Sequence, residues 1–363
     1  MKDSFDQQMM LKAIQLGELS RSIAPPNPWV GCIIVKNSKV IGQGATRKIG
    51  GAHAEIVALE QAGTHAQGAT AYVSLEPCCH HGRTPPCVAS LIKYKVARVV
   101  VALLDPDSKV NGRGIEQLRQ AGIEVVTGIA EREAAISLKP YLYQRKMHLP
   151  FVIAKSACSL DGRIAAQDGS SKWISSEAAR QDAQVLRKNS QAILIGCRTA
   201  IEDSPRLTVR IPHEQKPLRV ILDSRGILKA QGPLFDPTLA DTLVITTSQT
   251  AQLKIEEWRE AGALVKKVAS DANGKVCLKE TLELLNQKGI MQVLCEGGST
   301  IIGSLFKEQL INQFVAYVSP CFLGEKGLPL IKGLSIPNIA KAFPLTYESS
   351  KNLDGTVRID YSM

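Results

Sequence analysis

Apolar runs of strand length alternate with helical patterns along most of the chain, and this alternation predicts the architecture. In the first half, short blocks rich in valine, isoleucine and leucine at residues 30–35, 70–75, 98–103 and 124–127 read as strands. Helical spacing starts near His53, Pro86 and Gly114 and runs out near Gly63, Tyr94 and Gly122. In the second half, strands are expected at 151–155, 192–196, 219–223, 243–246, 292–295 and 314–318. Helices are expected at 176–188, 282–287 and 299–308. Strand and helix in turn imply an α/β protein whose mainly parallel sheet is covered on both faces.

At 363 residues the chain is long for one hydrophobic core, so two domains are expected. The seam is placed at 139–150, where Pro140 and Pro150 discourage a continuous helix ahead of a fresh buried strand. This gives domains of 1–146 and 147–363, with no internal repeat and no low-complexity segment.

Composition narrows the function classes. No apolar run approaches the roughly 18 residues of a membrane span, and the polar start Lys2-Asp3-Ser4 is unlike a signal peptide. A cytoplasmic protein without membrane contact is therefore expected. The net charge of +10 and pI near 9.1 favour anionic partners. Its basic residues are scattered and aromatics make up only 5%, which disfavours nucleic acid and favours phosphorylated small molecules. Of nine cysteines, Cys78, Cys79 and Cys87 crowd into ten residues, while Cys32, Cys158, Cys197, Cys277, Cys295 and Cys321 read as core thiols.

The crowded cysteines belong with His53-Ala54-Glu55 and Glu76-Pro77-Cys78. One histidine and two cysteines supply three zinc ligands and leave the fourth position for water. A glutamate two residues after the histidine can carry protons between that water and a substrate, the arrangement of zinc deaminases. His53 and Glu55 open one expected helix, and Cys87, after Pro85-Pro86, opens another, where the helix dipole favours thiolate. Cys79 in place of Cys78, His80 or His81 as a further ligand, and a closed structural zinc remain alternatives on this reading.

Eight residues separate Cys78 from Cys87, and the insert Cys79-His80-His81-Gly82-Arg83-Thr84-Pro85-Pro86 resembles the deaminase domain of the bifunctional riboflavin biosynthesis enzymes, diaminohydroxyphosphoribosylaminopyrimidine deaminase/reductase. Asn27-Pro28-Trp29-Val30-Gly31, Gly42-Gln43-Gly44, Asp105-Pro106 and Gly112-Arg113-Gly114 carry the same resemblance. It implies a cytidine-deaminase-like α/β/α domain with zinc on His53, Cys78 and Cys87 and Glu55 as proton shuttle. Asn27, His80 and Arg83 would contact the substrate. Thr46 stands where the family commonly has histidine and Asp107 where it usually has asparagine. A carboxylate beside a phosphorylated substrate must turn away or pair with a cation.

The second half lacks Gly-x-Gly-x-x-Gly, so a Rossmann-type dinucleotide site is not supported. Val293-Leu294-Cys295-Glu296-Gly297-Gly298-Ser299-Thr300 instead predicts a strand, a glycine pair and a helix start that can receive phosphate. This segment, with residues 155–165, 171–175, 203–210 and 219–224, resembles the reductase half of the same family, with a dihydrofolate-reductase-like α/β fold. The resemblance implies an NADPH site at Ala157, Trp173, Thr199, Asp203, Ser224 and the turn of Gly298, Ser299, Thr300, Ile301, Ile302, Gly303 and Ser304. Ser171, Arg187, Leu207, Arg210 and Glu296 would face the ribosylamino substrate, the two guanidinium groups being suited to its 5′-phosphate. Core packing for Trp173 and a solvated helix charge for Arg187 are the plain alternatives. Lys155 and Asp161 are candidate proton donors.

The expected function is zinc-dependent deamination of a diaminopyrimidinone ribotide followed by NADPH-dependent reduction of its ribosyl group, in a homo-oligomer (dimer or tetramer). A nucleic-acid base deaminase with an appended binding domain, or a non-catalytic scaffold, are the competing readings.

Overall fold

The computed structural model describes residues 2–81 and 85–363. The chain divides into two compact units, Met1–Leu149 and Pro150–Met363.

In the first unit the order is α1 (Lys2–Glu18), β1 (Gly31–Lys36), β2 (Lys39–Ala45), α2 (Ala54–Ala62), β3 (Thr70–Val73) and α3 (Cys87–Lys93). Then follow β4 (Arg98–Val101), α4 (Arg113–Gln120), β5 (Glu124–Thr127), α5 (Glu131–Ser137) and α6 (Lys139–Met147). Among the described residues the sheet runs β2-β1-β3-β4-β5. Its β1 pairs antiparallel with β2 and β3, while β3, β4 and β5 are parallel, so the sheet is mixed rather than mainly parallel.

The alternation of side chains along β1 builds two layers. Ile33 and Val35 join Tyr72 and Val100 on one face, where Met9, Met10, Ala13 and Ile14 of α1 and Ala134 of α5 pack on them. Cys32 and Ile34 lie on the opposite face, in register with Gly44 and Gly42 of β2. There α2 comes so close that a Cβ on Gly42 would sit 2.2 Å from Ala58 O, and one on Gly44 2.2 Å from Ala54 O. These two glycines let the helix bearing His53 and Glu55 lie directly on the sheet.

Residues 139–147, expected as part of the seam, are helical: Pro140 sits in the first turn of α6, where its missing N–H is no loss.

The second unit contains β6 (Phe151–Ser159), β7 (Arg163–Ala165), α7 (Glu177–Lys188), β8 (Ala192–Gly196), α8 (Cys197–Asp203) and β9 (Leu218–Leu222). These are followed by β10 (Thr242–Thr246), α9 (Gln252–Glu260), β11 (Leu264–Lys267), α10 (Leu278–Gln287), β12 (Gln292–Cys295) and α11 (Ser299–Lys307). The unit closes with β13 (Gln313–Ser319), β14 (Leu328–Pro329), β15 (Thr346–Leu353) and β16 (Thr356–Ser362). Among the described residues the main sheet runs β11-β10-β9-β8-β12-β6-β13-β16-β15, parallel up to β13 and antiparallel thereafter. Trp258 of α9 is fully buried against Ile193, Ile221 and Val244 of the central strands. The carboxyl ends of β6, β8, β9 and β12 consequently lie side by side, the usual place for a ligand crevice in such a sheet.

Candidate functional site

In the first unit the local folding of three segments brings three metal-type donors together. His53 caps α2 with extended backbone and no side-chain cap bond, so its ring is not committed to its own helix. Cys87 starts α3, and Cys78 lies on the segment between β3 and that helix. His53 Nδ1 is 3.6 Å from Cys78 Sγ and 3.3 Å from Cys87 Sγ, and all three donor atoms lie within 4.8 Å of one another. Tetrahedral zinc with bonds of about 2.05 Å to nitrogen and about 2.3 Å to sulfur requires N···S separations of roughly 3.6 Å. The donors fit Zn²⁺ with little movement.

Charge in the cluster follows from these contacts. The hydrogen bond from Cys87, followed by that from His53, lowers the Cys78 thiol to about 4. Cys87 N also donates to Cys78 Sγ at 3.4 Å. Cys87 is shifted the opposite way, by its hydrogen bond to Cys78 and by burial. Glu55, 3% exposed in the first turn of α2, is raised to about 7, mainly by burial and then by the Cys78 charge.

Cys79 is not among the converging donors; its Sγ instead donates to Lys109 O at 3.5 Å. Neither His80 nor His81 joins the group among the described residues. His80 Nδ1 is buried with no hydrogen-bond partner among the described residues. Asn27 ends the turn before β1, its N–H donating to Ala24 O at 2.9 Å. Arg83 lies outside the described residues. Thr46 is buried and braces β1, its Oγ1 accepting from Val30 N at 3.1 Å. Asp107 has its cation: Arg145 Nε lies 3.7 Å from Oδ2.

In the second unit a cavity of about 1010 Å³ opens at the carboxyl ends of β6, β8, β9 and β12. Ala157, Trp173, Thr199, Asp203, Ser224, Gly298, Ser299, Thr300, Ile301 and Ser304 all line it, as do Ser171, Arg187, Leu207, Arg210 and Glu296. Ile302 and Gly303 do not. They fall on the buried side of α11, where a Cβ on Gly303 would meet Lys332 O at 1.9 Å. Helical periodicity puts 300, 301 and 304 on one face and turns 302 and 303 inward.

Trp173 is 68% exposed on the cavity rim with Arg180 Cζ 4.4 Å from its ring centroid, which overturns the core-packing alternative. Arg187 is no solvated helix charge. Its Nε is 2.5 Å and its Nη2 2.9 Å from the two Glu296 oxygens, and Nη1 donates to Thr208 O at 2.9 Å. The guanidinium fork expected to grip phosphate is thus occupied by Glu296. Arg210 keeps an exposed side chain with no hydrogen-bond partner among the described residues. Burial alone would raise the Glu296 carboxyl; Arg187, helped by Lys155 and Arg210, holds it at about 2.

Of the candidate proton donors, Lys155 lines the cavity. Asp161 instead accepts from Ser159 Oγ, Leu323 N and Gly324 N in a turn. Cys32, Cys158 and Cys295 are core thiols, but Cys197, Cys277 and Cys321 are partly exposed and Cys197 lines the cavity. Cys197, expected as a core thiol, and Arg198, not among the expected site residues, both line the cavity; they directly follow β8, where the strand-end rule points to them.

Comparison with known proteins agrees with this geometry. Residues 3–103 match the cytidine and deoxycytidylate deaminase zinc-binding region, and residues 150–357 match the RibD C-terminal domain. The chain is 47% identical to the riboflavin biosynthesis protein RibD of Chlamydia trachomatis, over 90% of this chain and 88% of that one. With RibD of Escherichia coli it shares 36% identity over 91% of this chain and 92% of the other. A solved RibD structure from Acinetobacter baumannii superposes with TM-score 0.89 at 37% identity, covering 100% of this chain and 99% of that one. The deaminase/reductase structure from Thermotoga maritima gives 0.88 at 30% identity, with the same coverage. The expected pair of folds, cytidine-deaminase-like and reductase, is borne out.

Proposed function

The chain belongs to the RibD family of bifunctional riboflavin biosynthesis enzymes, which use Zn²⁺ and NADPH, and from that premise we propose that the centre at His53, Glu55, Cys78 and Cys87 performs the deamination and the cavity around Glu296 the reduction. The substrate of the first step is 2,5-diamino-6-(5-phosphoribosylamino)pyrimidin-4(3H)-one. That of the second is 5-amino-6-(5-phosphoribosylamino)uracil, whose ribosyl group becomes ribityl. The nucleic-acid deaminase reading is not favoured, since RibD relatives match this chain across both halves.

The convergence of His53, Cys78 and Cys87 carries this reading. When bound there, zinc supplies Lewis-acid activation of water for attack on the amine-bearing ring carbon. Glu55, buried and two residues from His53, takes a proton from water on its carboxylate and returns it to the departing amine nitrogen. Asn27 and His80 contact the pyrimidine or its ribose phosphate, a role the resemblance also gives to Arg83. The experiment is zinc analysis of Cys87→Ala. Removing one of three protein donors should strip zinc and ammonia release together, with NADPH-dependent reduction of supplied aminouracil ribotide unchanged. Zinc retained with full ammonia release would refute the ligand set.

In the second unit, NADPH supplies the hydride to C1′ of the opened ribose. The start of α11 at Gly298 and Ser299 offers backbone N–H groups to the cofactor's phosphates. Trp173 and Ala157 line the cavity that would hold the cofactor, and Lys155, in the same cavity, would give its proton to the imine nitrogen of the opened ribose. Arg187 holds the Glu296 carboxylate in place, and Arg210 takes the substrate phosphate. Arg210→Ala should raise the reductase KM for the phosphorylated substrate about ten- to a hundredfold, with kcat changed less, in steady-state NADPH assays.

We also place the enzyme in the cytoplasm as a homo-oligomer. Among the described residues no helix is long and apolar enough to cross a membrane. The edge strand β15, exposed from Thr346 to Asn352, leaves backbone groups for another chain.

A further inference from the structure

Glu76 opens the Glu-Pro-Cys segment that delivers Cys78, yet the chemistry above gives it no part. Its side chain is 4% exposed. Its carboxylate accepts four backbone N–H bonds: Oε2 from Asp105 at 3.3 Å and Gly112 at 2.9 Å, Oε1 from Gly114 at 3.0 Å and Ile115 at 3.3 Å. An ionised carboxylate offers about four lone-pair sites, so these donors fill it. Gly114 and Ile115 belong to the first turn of α4, whose own N-cap, Gly112, has no side chain to offer. The cap comes from another element, with the charge that a helix N-terminus favours.

Asp105 and Gly112 stand near the two ends of the loop between β4 and α4, so one carboxylate clamps both. Space for this exists because Gly114 has no Cβ; one would lie 2.4 Å from Pro77 O and 3.2 Å from Glu76 Oε1. The N–H of Glu76 donates to Leu103 O at 2.8 Å, joining the root of the loop to the segment that carries Cys78. Midway along, Lys109 O accepts from the thiol of Cys79, the neighbour of Cys78.

We propose that Glu76 is a positioning residue of the deamination site, which clamps the 105–112 loop in fixed register with Cys78 and so sets how tightly the pyrimidine ribotide is held. This rests on the deaminase assignment made above for the His53 centre.

Glu76→Gln in the full-length protein keeps the size of the side chain but turns an NH₂ group toward two N–H donors. The KM of ammonia release should rise at least about tenfold, with kcat within about threefold. Zinc content and chelator-competition affinity should stay at wild-type values, and amide exchange across residues 103–116 should accelerate. Should that variant fail to fold, Gly114→Ala pushes α4 off the same carboxylate and carries the same expectation. Wild-type KM and exchange would overturn the proposal, and so would weakened zinc binding with unaltered loop exchange, which would make Glu76 a support of the metal donors. Glu55→Gln, assayed in parallel, separates the two levels. If it stays active, the deaminase assignment itself fails; if it is dead while Glu76→Gln is wild-type in KM, only the role of Glu76 fails.

Discussion

Exchange of Glu55 for glutamine should leave zinc in place and lower ammonia release by roughly 10²- to 10⁴-fold, the range set by removing a positioned general acid–base. The substitution is nearly isosteric, and residue 55 is buried in the first turn of α2, so the fold has no reason to change. Glutamine can still orient a water molecule but cannot take its proton or return it to the leaving nitrogen. Because the three converging donors are His53, Cys78 and Cys87, metal content should match the wild type. Ammonia release at the wild-type rate would remove Glu55 from the chemistry, and loss of zinc would make it a ligand.

Replacing Arg187 by alanine should be the most damaging single change in the reductase cavity. Glu296 and Arg187 have side chains only 10% and 12% exposed and share two hydrogen bonds. Removing one member of such a pair leaves a buried charge uncompensated, at a cost of about 3–5 kcal/mol. The Glu296 shift agrees in direction: burial would raise the carboxyl, but Arg187, with Lys155 and Arg210, holds it well below its ordinary value. With a folded-state value below the unfolded one, this stabilisation is fully present above about pH 4.5 and disappears as pH falls toward 2. Thermal unfolding should show Arg187→Ala lower in Tm by roughly 10 °C at pH 7, with the gap closing in acid. An unchanged Tm, or a gap that widens in acid, would contradict the buried-pair account. NADPH oxidation should fall as well, because the Glu296 carboxylate loses the group that orients it.

Much of this is legible in the chain. The strands at 192–196 and 292–295 are expected at their observed bounds, because short apolar runs flanked by polar or glycine-containing segments leave few other choices, and the β-branched Val125-Val126-Thr127 before Gly128 marks the strand at 124–127. Helix α1 is not among the expected elements: Met9, Met10, Ala13 and Ile14 have helical spacing, but they follow the polar stretch from Lys2 to Gln8. The hairpin of β15 and β16 is equally hidden. Its first strand is exposed on both faces except at Leu353, so no alternation marks it. At the sites, residue types and spacing are enough for the metal donors, whose chemistry admits few substitutes. They cannot reveal that Arg187 meets Glu296, 109 positions away, instead of an external phosphate. Nor can they show Glu76 collecting amides from residues 105–115, since backbone donors carry no residue-specific mark.

The central claim is that two separate chemistries run in sequence on this chain, and one measurement addresses it directly. Purified protein is given the diaminopyrimidinone ribotide, first without and then with NADPH, while ammonia and NADPH are followed independently. Ammonia should appear in full before any NADPH is added, and NADPH oxidation should then proceed mole for mole with the ammonia released. Absence of ammonia, or NADPH consumption from the undeaminated ribotide at the same rate, would contradict the account.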